Sequence, residues 1–191
     1  MRRKVLYYIL FAVFLSCKKP EKPTFIIDGS SANGHNYIML ATPDSAGFVT
    51  SISPGNTTPQ ELLDFANSLK GIPYKYASTD PLEGFDCSGF IAYVFNHFDI
   101  PVPRASVDFT FVHRQIRLKD AKPGDLILFT GSDSCVRKPG HMGIISSAGG
   151  DSIRFIHSSS GKHPGVTETT FKGYYVSRYL KTIRVFAQNN R

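Results

Sequence analysis

Residues 84–90 read GFDCSGF, and the IAYVFNHF run at residues 91–98 predicts an amphipathic helix with Cys87 in its first turn. Apolar residues recur at spacings of three and four and predict one buried face, made by Phe90, Ile91, Val94, Phe95 and Phe98. Asp86 precedes the helix and is a good N-cap. The unpaired N–H groups and the dipole at a helix start favour a thiolate, so the pKa of Cys87 is expected below its usual value of about 8.5. Cys87 is therefore a candidate nucleophile, with a small core cysteine as the alternative.

A thiol nucleophile needs a base, usually histidine, and that histidine needs a group that fixes its tautomer. His141 and His157 each stand at the edge of a strand-like run, sixteen residues apart. If the two strands are antiparallel neighbours, His141 can face Cys87 with His157 behind it. A zinc site from the same three residues is the alternative, but the chain has no CxxC or HxxxH spacing in its support. We therefore expect cysteine–histidine chemistry, with no metal and no organic cofactor.

The first 17 residues have the order of an export signal. Arg2, Arg3 and Lys4 precede an apolar stretch at residues 5–15, and Ser16-Cys17 follows it. The stretch is too short to span a bilayer comfortably. A small residue before a cysteine resembles a bacterial lipoprotein signal, so Cys17 is predicted to carry a lipid that anchors the chain to a membrane. An ordinary signal peptide or an uncleaved anchor is the alternative, and all three place the domain in the cell envelope, outside the cytoplasm.

The 191-residue chain has room for one ordinary domain plus an extension. It carries 22 Lys and Arg against 15 Asp and Glu, and loss of residues 1–16 lowers the formal charge from +7 to +4. No basic run lies inside the domain, and aromatic residues such as Phe109 are not interleaved with Lys or Arg, so we expect no nucleic-acid partner. The mild basicity suits an anionic polymer such as cell wall, although a solvated surface explains it equally well.

Composition divides the chain into three parts. Residues 1–17 form the signal, residues 18–57 a tether or small N-terminal extension, and residues 58–191 the domain. TPQE at residues 58–61 opens a helix with a capping box and a proline at its first position. Strand-like runs come after the Cys87 helix, at residues 126–129, 141–145, 154–157, 174–176 and 183–186. Helices first and strands later predict an α+β fold with a mostly antiparallel sheet.

The order of the motifs resembles the NlpC family of cell-wall cysteine peptidases. Six stretches carry the resemblance: GIPYKY at 71–76, GFDCSGF at 84–90, VPRAS at 102–106, PGDLILF at 123–129, HMGI at 141–144 and FIHSS at 155–159. The resemblance as a whole covers about residues 59–186, roughly two thirds of the chain. The resemblance implies a papain-like fold, in which N-terminal helices pack on the sheet and one helix starts at the catalytic cysteine. It also implies an exported endopeptidase that cleaves peptidoglycan stem peptides or muropeptides at the γ-D-glutamyl to diamino-acid bond.

Carried over by position, the resemblance implies three catalytic residues. Cys87 is expected to be the nucleophile, His141 the general base and later acid, and His157 the residue that orients His141. It further implies that Tyr74 offers its hydroxyl to the developing oxyanion, together with the backbone N–H of Cys87.

The resemblance also implies substrate contacts around the cysteine. Asp86 and Ser88 are expected to hold the amine or amide of the stem peptide, although Asp86 serves equally well as an N-cap without substrate. Tyr76 stands where an aromatic residue walls the groove. Arg104 is expected to meet a substrate carboxylate, with pairing to a structural acid as the alternative.

Two departures from the family pattern affect the shape of the cleft. Ala77-Ser78 stand where two glycines are usual, and residues 131–140 lengthen the approach to His141 with a loop-like composition. Cys135 lies in that loop, and a bridge from it to Cys87 would switch off the thiol chemistry. Two other functions remain open: an amidase or acyltransferase on the same fold, or a non-catalytic wall-binding lipoprotein.

Overall fold

The helix that begins at Cys87 packs on a six-stranded antiparallel sheet. The computed structural model describes residues 49–149, 152–162 and 164–190, and the elements below lie in that part of the chain. The α-helices are α1 (Pro59–Ser68) and α2 (Cys87–Asn96). The strands are β1 (Thr79–Asp80), β2 (Gly84–Phe85), β3 (Gln115–Ile116), β4 (Leu126–Thr130), β5 (Pro139–Ser147), β6 (Arg154–Ser159), β7 (Gly165–Thr170) and β8 (Tyr179–Ile183). Short 3-10 helices cover Ser106–Thr110, Leu118–Asp120, Gly173–Tyr175 and Ala187–Asn190.

The strands form one small ribbon and one main sheet. β1 pairs with β2, and the other six strands lie in the order β3-β8-β4-β5-β6-β7. Every neighbouring pair in the main sheet is antiparallel. The predicted α+β class with an antiparallel sheet is therefore confirmed.

Helix α1 begins where its capping box predicts. The hydroxyl of Thr58 accepts a hydrogen bond from the N–H of Glu61 at 3.2 Å, and the Glu61 carboxylate accepts one from the N–H of Thr58 at 2.8 Å. Gly71 has a φ of +94°, so the chain turns after the helix in a conformation that suits glycine. Leu62, Leu63 and Ala66 are buried on the side that packs against α2.

Helix α2 is buried along most of its length. Its residues Phe90, Ile91, Val94 and Phe95 are inaccessible to solvent, and the helix contacts β5 and β6. Phe98, which the periodicity places on the same face, lies just after the helix and is partly buried. Burial of this face holds the N-terminal end of α2, and with it Cys87, against the strands that carry the two histidines.

Strand β4 is buried on both sides of the sheet. Leu126 and Leu128 belong to the core beneath the helices, whereas Ile127 and Phe129 belong to a second cluster on the opposite face. A strand buried on both faces is continuously apolar rather than alternating, which explains the LILF sequence.

A buried ion pair ties the start of β4 to the chain after β8. Arg184 Nε lies 3.0 Å from Asp125 Oδ1, and both side chains are almost fully buried. The Arg184 guanidinium also donates to the carbonyl oxygens of Asp120 and Asn189, at 2.6 Å each. The pair therefore joins three separate segments at one end of the sheet.

Some sequence expectations for the C-terminal region are wrong. Residues 174–176 do not form a strand, because Gly173–Tyr175 is a 3-10 helix. The closing strand lies at Tyr179–Ile183, upstream of the predicted 183–186. Strand β7 was not predicted, since its sequence GVTETT is mostly polar. Upstream of the predicted domain start at residue 58, Ile52 is buried in the main core.

The signal at residues 1–17, with Cys17, lies outside the described residues, as does most of the 18–57 segment. Lipidation of Cys17 therefore stays a prediction. In the described part of the chain, no helix is long and apolar enough to cross a membrane.

Candidate active site

Cys87 is the first residue of α2, and Asp86 caps that helix by accepting a hydrogen bond from the N–H of Gly89 at 2.5 Å. The helix start packs closely under the preceding segment. A Cβ on Gly89 would lie 2.1 Å from the carbonyl oxygen of Ser78, so only glycine allows this approach. The GFDCSGF motif thus contains the candidate nucleophile Cys87, the helix cap Asp86 and Gly89, which lets the helix start pack against Ser78.

The environment of Cys87 keeps the thiol protonated in the free protein. Burial raises its pKa, and the negative charge of Asp86 raises it further. The backbone N–H groups of Cys87, Ser88 and Met142 favour the thiolate, but they do not outweigh burial. The expectation of a lowered pKa is therefore wrong for the unliganded site, because the helix-start position also leaves Cys87 partly buried, with the Asp86 carboxylate nearby.

The thiol is free and faces the strand that carries His141. Cys87 Sγ lies 3.8 Å from the carbonyl oxygen of Gly140, the residue before His141. Because Cys87 is a free cysteine, the alternative of a bridge to Cys135 is wrong.

Strands β5 and β6 bring the two candidate histidines together, as their positions in the sequence predict. His141 Nε2 lies 2.8 Å from His157 Nδ1, and the two rings are nearly perpendicular at 81°. Gly143 makes room for this pair, since a Cβ there would lie 2.7 Å from the Phe155 ring and 3.2 Å from the Cβ of His157. With Nε2 of His141 occupied by His157, Nδ1 is the nitrogen left for Cys87.

Both imidazoles are held in their neutral form. Burial lowers the pKa of His141 to about 4, with the positive charge of Arg178 as a second cause. Burial also lowers the pKa of His157 to about 3, and the neighbouring His141 contributes. At neutral pH the site therefore pairs a protonated thiol with an unprotonated imidazole, which is able to act as a base.

The nucleophile candidate and both histidines line one cavity of about 670 Å³. Its wall also includes Tyr74, Tyr175 and Arg178. We call this cavity the cleft. In the described residues, no group of three or more His, Cys, Asp or Glu side chains is arranged to hold a metal ion, and this gives the zinc alternative no support.

Tyr74 lies beside Cys87 in the cleft. Burial raises the pKa of its phenol, with the nearby Cys87 as the next cause, so its hydroxyl keeps the proton needed to donate a hydrogen bond. Tyr76, in contrast, is 83% exposed and is not among the residues lining the cleft. Its role as a groove wall stays a prediction.

Asp86, Ser88 and Arg104 form a polar cluster at the start of α2. The guanidinium of Arg104 donates to both carboxylate oxygens of Asp86, at 2.8 and 3.2 Å, and to the Ser88 hydroxyl at 3.1 Å. In the free protein Arg104 thus adopts the structural pairing named as the alternative to a substrate carboxylate. Asp86 and Ser88 are mostly buried, and substrate binding by the three residues stays a prediction.

Three residues of the cleft were missed by the sequence analysis. Thr169 Oγ1 lies 2.9 Å from His157 Nε2, and the Tyr175 ring lies 5.7 Å from the His157 ring. Arg178 stacks on Tyr174 and donates to the carbonyl oxygens of Gly131 and Ser132. No local motif marks these residues, since each reaches the cleft through the pairing of distant strands and loops.

The chain is similar to known proteins in both sequence and fold. The model of the NlpC/P60 family matches residues 71–185. The chain is 30% identical over 136 residues to the gamma-DL-glutamyl hydrolase of Bacillus subtilis, which covers 71% of this chain and 32% of that protein. It is 32% identical over 126 residues to the probable endopeptidase NlpC of Escherichia coli, covering 65% of this chain and 75% of that protein. The chain thus spans about a third of the first relative and three quarters of the second.

Among solved structures, the NlpC/p60 domain of the peptidoglycan hydrolase SagA superposes with a TM-score of 0.53 at 26% identity. The match covers 67% of this chain and 99% of that domain. The expectation of a papain-like α+β fold is confirmed by this similarity together with the observed helices and sheet.

Proposed function

The chain belongs to the NlpC/P60 family, and we propose that it is a cysteine endopeptidase that hydrolyses the stem peptides of peptidoglycan. The observation that carries the proposal is the meeting of Cys87, His141 and His157 in one cleft, with the two imidazoles 2.8 Å apart. The named activities of the relatives, a glutamyl hydrolase and an endopeptidase, support the same reaction class.

In the proposed first half-reaction, His141 Nδ1 takes the proton of Cys87 while the sulfur attacks the scissile carbonyl carbon. The carbonyl oxygen becomes an oxyanion, stabilised by the N–H of Cys87 and the hydroxyl of Tyr74. His141 then returns the proton to the leaving amine, and the C–N bond breaks to give a thioester. The reaction needs no cofactor, because the thiol and the imidazole supply nucleophile, base and acid.

In the second half-reaction, His141 accepts a proton from water, which attacks the thioester. Collapse of the tetrahedral intermediate breaks the C–S bond, and the proton on His141 passes to the sulfur. The lowered pKa of His141 suits both steps. The imidazole is unprotonated before it accepts each proton, and it gives the proton up readily afterwards.

We propose the γ-D-glutamyl to diamino-acid bond as the site of cleavage. The family resemblance of the six motifs supports this bond, and the name of the Bacillus subtilis relative, a gamma-DL-glutamyl hydrolase, supports its glutamyl side. Asp86 and Ser88 are proposed to hold the amine or amide of the stem peptide, with Arg104 beside them. Tyr76 is proposed to border the groove.

The test is mass spectrometry of L-Ala-γ-D-Glu-diaminopimelate peptides, with and without attached sugar, after incubation with the full chain. Cleavage after D-Glu by the wild type, and not by Cys87→Ala, is the expected result. The dependence on sugar separates recycling of fragments from remodelling of intact wall. Absence of cleavage, with Cys87 still open to alkylation, would favour an amidase or acyltransferase. Binding of wall fragments without turnover or alkylation would favour a non-catalytic lipoprotein.

We also propose that the protein is exported and anchored to a membrane by a lipid on Cys17. The support is the basic start, the apolar stretch at residues 5–15 and the Ser16-Cys17 pair. Mass spectrometry of the N-terminal peptide from membrane fractions is expected to find an acylated Cys17. A mature N-terminus at another residue, or a Cys17→Ser variant that is processed and retained as the wild type is, would contradict the lipid anchor.

A further inference from the structure

Thr169 stands directly behind His157 on the side away from His141. Strand β7 pairs with β6 so that Thr169 is opposite Phe155 and Thr167 is opposite His157. Side chains two residues apart on a strand share a face, so Thr169 lies diagonally across from His157. Its hydroxyl oxygen is 2.9 Å from His157 Nε2. His141, His157 and Thr169 thus form a hydrogen-bonded row in the cleft, which Cys87 also lines.

The direction of proton transfer fixes the hydrogens in this row. When Cys87 loses its proton to His141 Nδ1, the imidazolium carries a proton on Nε2 as well. That N–H points at His157 Nδ1, which must offer a lone pair to accept it. His157 must therefore carry its own proton on Nε2, where the Thr169 hydroxyl is placed to accept it.

The surroundings of His157 make this acceptor important. His157 is 1% exposed, and the rings of Phe155 and Tyr175 pack against it at 4.8 and 5.7 Å. An N–H that is buried without an acceptor is destabilising, because it has lost its hydrogen bond to water and gained none in return. The Thr169 hydroxyl can either donate to His157 Nε2 or accept from it. The positive charge that forms on His141 favours the second arrangement, in which His157 Nε2–H donates to Thr169.

We propose that Thr169 is a positioning residue that holds His157 in the Nε2–H tautomer and thereby keeps Nδ1 of His141 free as the base for Cys87. The catalytic part of this inference rests on the proposed hydrolase activity, whereas the tautomer is a property of the free protein. The two parts can therefore fail separately.

The test compares Thr169→Val, which keeps the shape and removes the hydroxyl, with Thr169→Ser, which keeps the hydroxyl. Thr170→Val is the matched control, because Thr170 is on the opposite face of the same strand. Nitrogen-15 NMR of the imidazole rings distinguishes N–H nitrogens from those with a lone pair. We expect the Nε2–H form of His157 in the wild type, in Thr169→Ser and in Thr170→Val, and a clear loss of that form in Thr169→Val.

Kinetics on the stem peptide supply the second measurement. Thr169→Val is expected to lower kcat about tenfold with little change in KM, since a lost hydrogen bond of about 1.4 kcal/mol in the transition state corresponds to a factor of ten. Thr169→Ser should restore most of the rate. Thermal unfolding of each variant separates this effect from a folding defect.

Wild-type tautomers in a folded Thr169→Val would overturn the proposal, whatever the rate. A shifted tautomer with an unchanged kcat would overturn the catalytic role of Thr169. If even the wild type fails to cleave the peptide, the proposed function fails, and the NMR comparison still decides whether Thr169 sets the tautomer.

Discussion

At the scale of single residues, one neutral imidazole decides how the thiol can react. Cys87 and His141 are both partly buried, and the loss of contact with water favours the uncharged form of each, so the free site holds a thiol and a neutral imidazole. The proton therefore has to pass from Cys87 to His141 during the attack, while negative charge develops on the carbonyl oxygen of the substrate. Groups that contact that oxyanion or shift the pKa of His141 are therefore the residues most open to test.

Replacement of Tyr74 by phenylalanine tests the oxyanion contact. The ring stays and one donor is lost, so kcat is expected to fall by roughly 10²-fold, the lower end for loss of one such donor, with a small change in KM. Steady-state kinetics on the stem peptide measure this. Tyr93→Phe removes a phenol hydroxyl from α2 as a control for packing, since the Tyr93 ring packs on Phe65 and Phe85. An unchanged kcat in Tyr74→Phe would remove Tyr74 from the oxyanion site.

The acid limb of the pH–rate profile tests the electrostatics of His141. Because the pKa of His141 is lowered to about 4, the base is unprotonated above that pH, and kcat/KM is expected to fall only near pH 4 rather than near 6.5. Arg178→Met removes a positive charge, so it should raise the pKa of His141 and move the limb to higher pH. The limb should stay below 6.5, since burial is the larger cause and is retained.

Arg137→Met is the matched control for Arg178→Met. Arg137 donates to the carbonyl oxygens of Ser177 and Tyr179, in the same region, but its charge is not among the causes that shift His141. A limb that is unmoved in Arg178→Met, or moved equally in Arg137→Met, would contradict the assigned role of Arg178.

At the scale of elements, the segment before α2 holds an unfavourable backbone conformation. Ala77 has a φ of +58°, a left-handed conformation that costs a residue with a Cβ roughly 1–2 kcal/mol. The family pattern usually has glycine here, which adopts this conformation freely. The turn is retained because its neighbours need it: the Ser78 carbonyl accepts from the N–H of Asp86 and packs against Gly89.

Ala77→Gly is therefore expected to stabilise the protein by about 0.5–1 kcal/mol, the relief of the left-handed cost less the extra entropy of an unfolded glycine. Urea unfolding measures the change. Ala105→Gly is the matched control, because Ala105 has a φ of −96° and gains nothing from glycine, so it should be destabilised. Destabilisation of both variants to the same extent would show that the φ of Ala77 carries no cost.

At the scale of the whole molecule, the Asp125–Arg184 pair joins segments that are far apart in the chain. Arg184→Met leaves the buried Asp125 carboxylate without its partner, and the loss of one member of such a pair typically costs 3–5 kcal/mol. We expect a fall of about that size in the free energy of unfolding, measured with urea.

Arg117→Met is the control for the ion pair at Arg184. Arg117 pairs with Asp120 at 2.6 Å, but its side chain is 71% exposed, and water stabilises both charges. Exposed ion pairs contribute little to stability, so this variant should be nearly neutral. Equal losses in the two arginine variants would mean that burial of the Asp125–Arg184 pair does not determine its contribution.

The sequence by itself determined the local features: the capping box of α1, the helix that begins at Cys87, the buried strand β4 and the identity of the three candidate catalytic residues. Each depends on a short pattern of apolar, capping or turn residues. The pairing of His141 with His157 could also be predicted, because consecutive antiparallel strands place the start of one strand beside the end of the next.

Only the tertiary structure decided the environment of those residues. Strand β7, with Thr169, has too few apolar residues to be recognised, and Tyr175 and Arg178 reach the cleft from a segment whose conformation depends on the sheet beneath it. The pKa of Cys87 is raised and that of His141 lowered because both are partly buried, and that burial is the sum of contacts from distant parts of the chain. A local pattern names the reacting groups, whereas long-range packing sets the charge they carry.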